Sequence, residues 1–241
     1  MLGLVISGGG LVLPFIPALL ELHFSRDGES LLLHNSCDAV CGTYKSETCH
    51  LIISPEYILR VKNESVIFPG IRFKQLMASP VRVAGYNYRP RSFSERLRPA
   101  RYIPDDAQWC PEQRYWYSRQ NIIIPPGVWV EGDVVSEKSI IIGEHSFISG
   151  NVKAGRDLVL QAHAAVNGNG IAGNIRLLYA TGVSGCLVAC HQVLMMDLAC
   201  AGEMSSPVSV VGDEVILHQG ARVYGGIYAH KQAYVPEAGS D

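Results

Sequence analysis

Charge is scarce in this chain: Asp, Glu, Lys and Arg make up 17% of its 241 residues, against 48% apolar. That balance excludes a disordered chain and leaves ample material for a core. A net charge of −2 gives no overall pull toward nucleic acid and marks no acidic tail. A disulfide framework is missing too. The seven cysteines (Cys37, Cys41, Cys49, Cys110, Cys186, Cys190, Cys200) are odd in number and scattered, which argues against a small secreted scaffold and for a reducing cytoplasm. No phosphate-cradling GxxxxGK loop occurs, and Gly8, Gly9 and Gly10 lack the partner acid and the strand-turn-helix context of a dinucleotide site. No cofactor is therefore expected.

The first 20 residues carry no charge at all, close to the length that crosses a bilayer as a helix. No Lys or Arg precedes this apolar run and no small-residue cleavage site follows it, so a cleaved signal peptide is not the reading. Gly8 to Gly10, Pro14 and Pro17 weaken a straight spanning helix. Two arrangements fit residues 1–23: a membrane anchor or re-entrant segment in contact with lipid, or a segment buried on the protein itself.

What is present is repetition. VEGDVVS at Val130 to Ser136 recurs as ISGNVKA, VNGNGIA, VSGCLVA, CAGEMSS and VYGGIYA, at spacings of 18, 18, 17, 17 and 23 residues. The third residue is always glycine: Gly132, Gly150, Gly168, Gly185, Gly202 and Gly225. Alternating apolar and polar residues call for strands, and a glycine at a fixed place calls for a tight corner where a side chain would clash or φ must turn positive. The sequence thus predicts an all-β fold, a single-stranded β-helix of about six coils of 17–18 residues over 121–235. Ile142, Ile148, Leu160, Val166, Leu187, Leu217 and Val223 are expected to point inward and stack. Each burial is worth about 1.5–3 kcal/mol, but only with a neighbouring coil to cover it. The longest spacing holds an extra loop around Ser205 to Ser209, broken by Pro207.

Residues 24–120 read as a mixed region: short strands between Leu51 and Phe68, then an irregular stretch from Ser79 to Gln120 that wraps the solenoid or caps its first coil. Residues 236–241 form a short tail. Divided by position, the charge sums to −3 over 1–71, +6 over 72–119 and −5 over 120–241. The basic segment, with Arg82, Arg89, Arg91, Arg96, Arg98 and Arg101 interleaved with aromatics, has three readings. It lies along the acidic solenoid or a neighbouring subunit, it meets anionic lipid, or it meets nucleic acid. The first is preferred, and no nucleic-acid partner is expected.

The last coil of a solenoid presents unpaired strand edges that need a cap or a partner. Ile227, Tyr228, Tyr234 and Val235 lie closest to that end and are the candidate polymerisation face. Cys37, Cys41, Cys49 and His50 have zinc-ligand chemistry, but only the first pair has suitable spacing, so no metal site is assigned. An enzyme reading competes. Ile142, Ile148, Ala154, Leu160, Val166, Ala172 and Leu178 fall six apart, the signature of hexapeptide-repeat acyltransferases, which act as trimers. His145 and His163, 18 apart, would stack on adjacent coils with Asp197 at the equivalent place two coils on, offering a general base. The 17-residue coils and the single glycine per coil go against it, and no catalytic residue is assigned.

The recurring apolar-x-Gly-x-apolar-x-Ala unit, clearest in ISGNVKA and VYGGIYA, resembles the bactofilins, bacterial polymer-forming cytoskeletal proteins. The resemblance covers the repeat region only. It implies a right-handed β-helix polymerising end to end without nucleotide at the cytoplasmic membrane face, serving cell shape or envelope synthesis and partnering envelope-synthesis proteins. The long region before the repeats departs from the family pattern.

Overall fold

The computed structural model describes residues 31–33, 42–45, 50–53, 59–60, 65–67, 69–70, 72–85, 100–105 and 107–236. Among them every regular element is a strand. Upstream lie β1 (Leu31–Leu33), β2 (Gly42–Lys45), β3 (His50–Ile53), β4 (Leu59–Arg60), β5 (Ser65–Ile67), β6 (Arg72–Val83), β7 (Ala100–Arg101), β8 (Gln108–Cys110) and β9 (Tyr115–Ser118). The first repeats give β10 (Ile122–Ile124), β11 (Val128–Val130), β12 (Asp133–Ser136), β13 (Ile140–Ile142), β14 (Phe147–Ile148), β15 (Val152–Ala154), β16 (Asp157–Leu160) and β17 (Ala165–Val166). Later strands bend through corners: β18 (Gly170–Leu177), β20 (Leu187–Met195) and β22 (Val208–Leu217) serve two faces and β23 (Arg222–Tyr234) all three, with short β19 (Gly182–Val183) and β21 (Cys200–Ala201) between them. Register shifts at Ala172/Asn174, Val188/Gln192 and Gly212/Glu214 mark those bends.

The strands stack into a parallel β-solenoid with three faces. Face A runs β7, β11, β14, β17, β19, β21, β23. Face B runs β9, β12, β15, β18, β20, β22, β23. Face C runs β10, β13, β16, β18, β20, β22, β23. Every inward residue expected from the repeat is buried, from Ile142, Ile148, Leu160, Val166 and Leu187 at 0% to Leu217 and Val223 at 1% exposure. Like stacks on like, with Val130, Ile148, Val166 and Val183 in one buried column.

The stack has about eight turns, not six. The additional rungs come from upstream of the repeats, one set at each end. At the first coil, β7 and β9 pair with β11 and β12. At the last coil, β6 pairs antiparallel with β23, and β4 and β5 then pair with β6, and β1 with β5. The stretch 79–120, read from the sequence as irregular, thus contributes strands where it is described. The extra loop is a turn at Glu203 to Ser206, and Ser209 already belongs to β22.

Candidate functional site

Three corner columns run the length of the stack, each solving a backbone problem differently. At the corner between faces A and B, a Cβ on Gly168 would lie 2.7 Å from the carbonyl carbon and oxygen of Gly150, and one on Gly185 would lie 2.6 Å from those of Gly168. Close approach between coils, not φ, requires glycine there; Gly132, Gly202 and Gly225 have positive φ as well. The residues after Gly132, Gly150 and Gly168 build a ladder. Asp133 Oδ1 accepts from the Asn151 backbone N–H at 2.7 Å, Asn151 Oδ1 from that of Asn169 at 2.9 Å, and Asn169 Oδ1 from that of Cys186 at 2.8 Å. Such a ladder satisfies corner amides that the strands leave over. The GD, GN, GN, GC pairs were its signal in the sequence.

The corner between faces C and A turns left-handed in every coil: Gly127, His145, His163, Ala180, Leu198 and Gly220 have φ of 71°, 57°, 60°, 53°, 61° and 70°. Histidine is among the side chains enriched in this conformation. His145 and His163 stack with ring centroids 4.7 Å apart and planes 11° apart, both exposed, and the Tyr179 ring stands edge-on to His163 at 5.4 Å. Asp197 does not complete this column. Leu198 does, because the coil there is 18 residues, and the Asp197 carbonyl accepts from the Ala180 N–H. The stacked pair follows from corner geometry.

At the third corner Lys231 Nζ lies 2.8 Å from Asp213. This hydrogen bond holds the Asp213 carboxyl below its ordinary range and the Lys231 ammonium above its own. Asp213 and His230, with Gln75, Val211 and Tyr228, line a shallow groove open to solvent.

The end of the stack is where the expected site and the structure part. Ile227 and Val235 are buried at 0% and 2% exposure, and Tyr228 and Tyr234 are half-buried. The strand edge they occupy is taken by β6, in register Tyr234 to Arg72, Ala233 to Phe73, Tyr228 to Gln75, Ile227 to Leu76 and Val223 to Val81. Leu76, Val81 and Val83 are buried at 0–1%, continuing the inner columns past the last repeat. The Gly70 N–H donates to the Val235 carbonyl at 2.8 Å, and the Arg72 guanidinium lies 6.0 Å from the Tyr234 ring centroid. The polymerisation face inferred from the repeats is therefore closed by the chain's own upstream strand. The reason is physical: a parallel rung exposes N–H and C=O groups to any alternating apolar strand, and β6 supplies one.

Among the described residues, fewer strands cover the other end. β8 pairs antiparallel with β9, Trp109 packs on Trp116 at 4.8 Å, and Trp116 Nε1 donates to the Glu131 carbonyl at 2.9 Å. The Tyr117 hydroxyl donates to Glu137, which holds that phenol protonated above its usual range. On face C, β10 pairs with β13, and no second strand ladder joins it among the described residues. Ile123, at its centre, is 64% exposed.

Of the basic segment, Arg101 reaches the solenoid acid Glu131 at 2.8 Å, and Arg82 lies across the ladder from Arg222. Arg89, Arg91, Arg96 and Arg98 lie outside the described residues, as do Cys37, Cys41, Cys49 and residues 1–30. Among the described residues there is no group of three or more potential metal ligands, and no helix long and apolar enough to cross a membrane.

Comparison with known proteins gave no assignment. No family model, no curated protein and no solved structure matches this chain.

Proposed function

We propose that this protein is a structural, self-assembling scaffold that polymerises along its solenoid axis, without enzymatic activity and at the cytoplasmic face of the membrane. The observation that carries the reading is the edge of β10, paired on one side with β13 and with no second strand among the described residues, with Ile123 exposed at its centre. A repeat stack adds rungs without changing its cross-section, so one molecule continues another. The repeat unit's resemblance to the bactofilins supports the same role in cell shape or envelope synthesis, with lipid met by residues 1–20. For the rival acyltransferase, the stacked His145–His163 pair sits exposed at the left-handed corner, and its stacking follows from the spacing of one coil.

Negative-stain electron microscopy of the purified full chain at moderate ionic strength tests the reading. Long filaments with a 4.7–4.9 Å axial repeat in diffraction are expected. Discrete trimers would instead favour the transferase, and monomers at all concentrations would sink the scaffold.

A further inference from the structure

The scaffold reading leaves a problem, because the edge of β23 is already hydrogen-bonded to β6. An end-to-end contact there must displace the cap or include it. We infer that assembly includes it by exchange: the upstream cap built on β6 leaves its own last coil and seats on the last coil of a second copy. This rests on the scaffold reading and says which contact joins the copies.

Three observations support exchange. The cap and the first coil are fed by one connection. Val83 ends β6, and Ala100 begins β7, and both lie on face A at opposite ends of the stack. Seven rung spacings separate β6 from β7 through β23, β21, β19, β17, β14 and β11. At about 4.7 Å each, that is about 33 Å, while residues 84–99 reach about 53 Å when extended. The connection therefore has length to spare in the closed form.

The exchanged form makes the shorter demand. On face A the cap adds β6, β5 and β1, so a cap seated on a neighbour's β23 stands only about three rung spacings, about 14 Å, from its own β7 in the next solenoid. A chain segment of this length is less stretched across 14 Å than across 33 Å. The third observation is the chemistry of the joint. The cap contacts β23 through an antiparallel ladder and the apolar side chains of Leu76 and Val81, and none of these contacts depends on which copy supplies them. The same contacts are kept, and the arrangement is head to tail along the stack axis, so successive copies propagate as a filament.

Gln75 and Tyr228 face each other in that ladder and both line the solvent-open groove. Cross-strand partners have Cα atoms about 4.5–5.5 Å apart, within disulfide range. The test is the full-length double variant Gln75→Cys with Tyr228→Cys, assembled under reducing conditions and then oxidised, with each single variant as control for the native cysteines. A ladder of covalent multimers on non-reducing gels, present only with both cysteines, is expected. Conversely, oxidation before assembly locks the cap at home and should reduce pelletable polymer at least tenfold. Filaments that yield only internally crosslinked single chains would overturn exchange while leaving the scaffold standing. A double variant that stays monomeric while both single variants polymerise would show the cysteines themselves at fault, and the pair Phe73→Cys with Ala233→Cys, facing each other in the same ladder beyond its register shift, then decides by the same two gels. Absence of polymer in every form, parent included, would overturn both.

Discussion

At the residue scale, the corners show how the same fold tolerates or refuses a Cβ. Ala180 sits at φ 53° with no polar side chain to compensate. A non-glycine residue in this region costs about 1–2 kcal/mol, partly offset by the larger unfolded-state entropy of glycine. Ala180→Gly should therefore raise stability by about 0.5–1 kcal/mol, read from the urea midpoint at unchanged slope. Gly168→Ala should act oppositely, by about 1–3 kcal/mol or more, because the added carbon meets backbone of the coil below and neither coil can yield alone. Charge enters at Asp213 and Lys231. The Asp213 pKa is lowered on folding, so its contribution is present above the unfolded carboxylate value and lost as pH falls through the folded one. Lys231 is raised, so its contribution is present below the unfolded lysine value and lost as pH rises through the folded one. Parent and Asp213→Asn should differ by a small constant at neutral pH, given the exposure of the pair, and converge in acid. A difference that grew on acidification would contradict this origin.

At the element scale, β6 changes the meaning of the last coil. If β23 were an open docking edge, Ile227→Arg would dissolve polymer and leave the fold intact. With Ile227 at 0% exposure opposite Leu76, the substitution buries an unpaired guanidinium. The expected cost is about 3–5 kcal/mol, seen as a lower melting temperature of the monomer as well as lost assembly. Circular dichroism at increasing temperature separates the two cases. The repeat coils were legible because strands one turn apart pair at a fixed offset, as Ile140 does with Leu158 and Val152 with Gly170. The pairing of β6 with β23 was not, because it joins segments far apart in the chain with no shared period. Its local trace was the apolar residues Leu76, Val81 and Val83, in a stretch set apart in the sequence by its arginines.

At the scale of the whole molecule, assembly depends on which rungs remain open. Ile123→Lys places a charge on the outer side of the edge strand β10, a substitution that an exposed site tolerates within about 0.5 kcal/mol but that blunts strand addition. Sedimentation should show polymer reduced several-fold, with β-rich circular dichroism unchanged; polymer at the parent's level would exclude β10 from the joint. By itself the sequence determined the solenoid, its inward columns and its glycine corner, because a fixed repeat makes every coil predict its neighbour. Only the tertiary structure decided where the stack stops. Its last edge offers backbone groups that any suitable strand can satisfy, so the choice of β6 lay in chain connectivity and long-range pairing, which a periodic pattern does not encode.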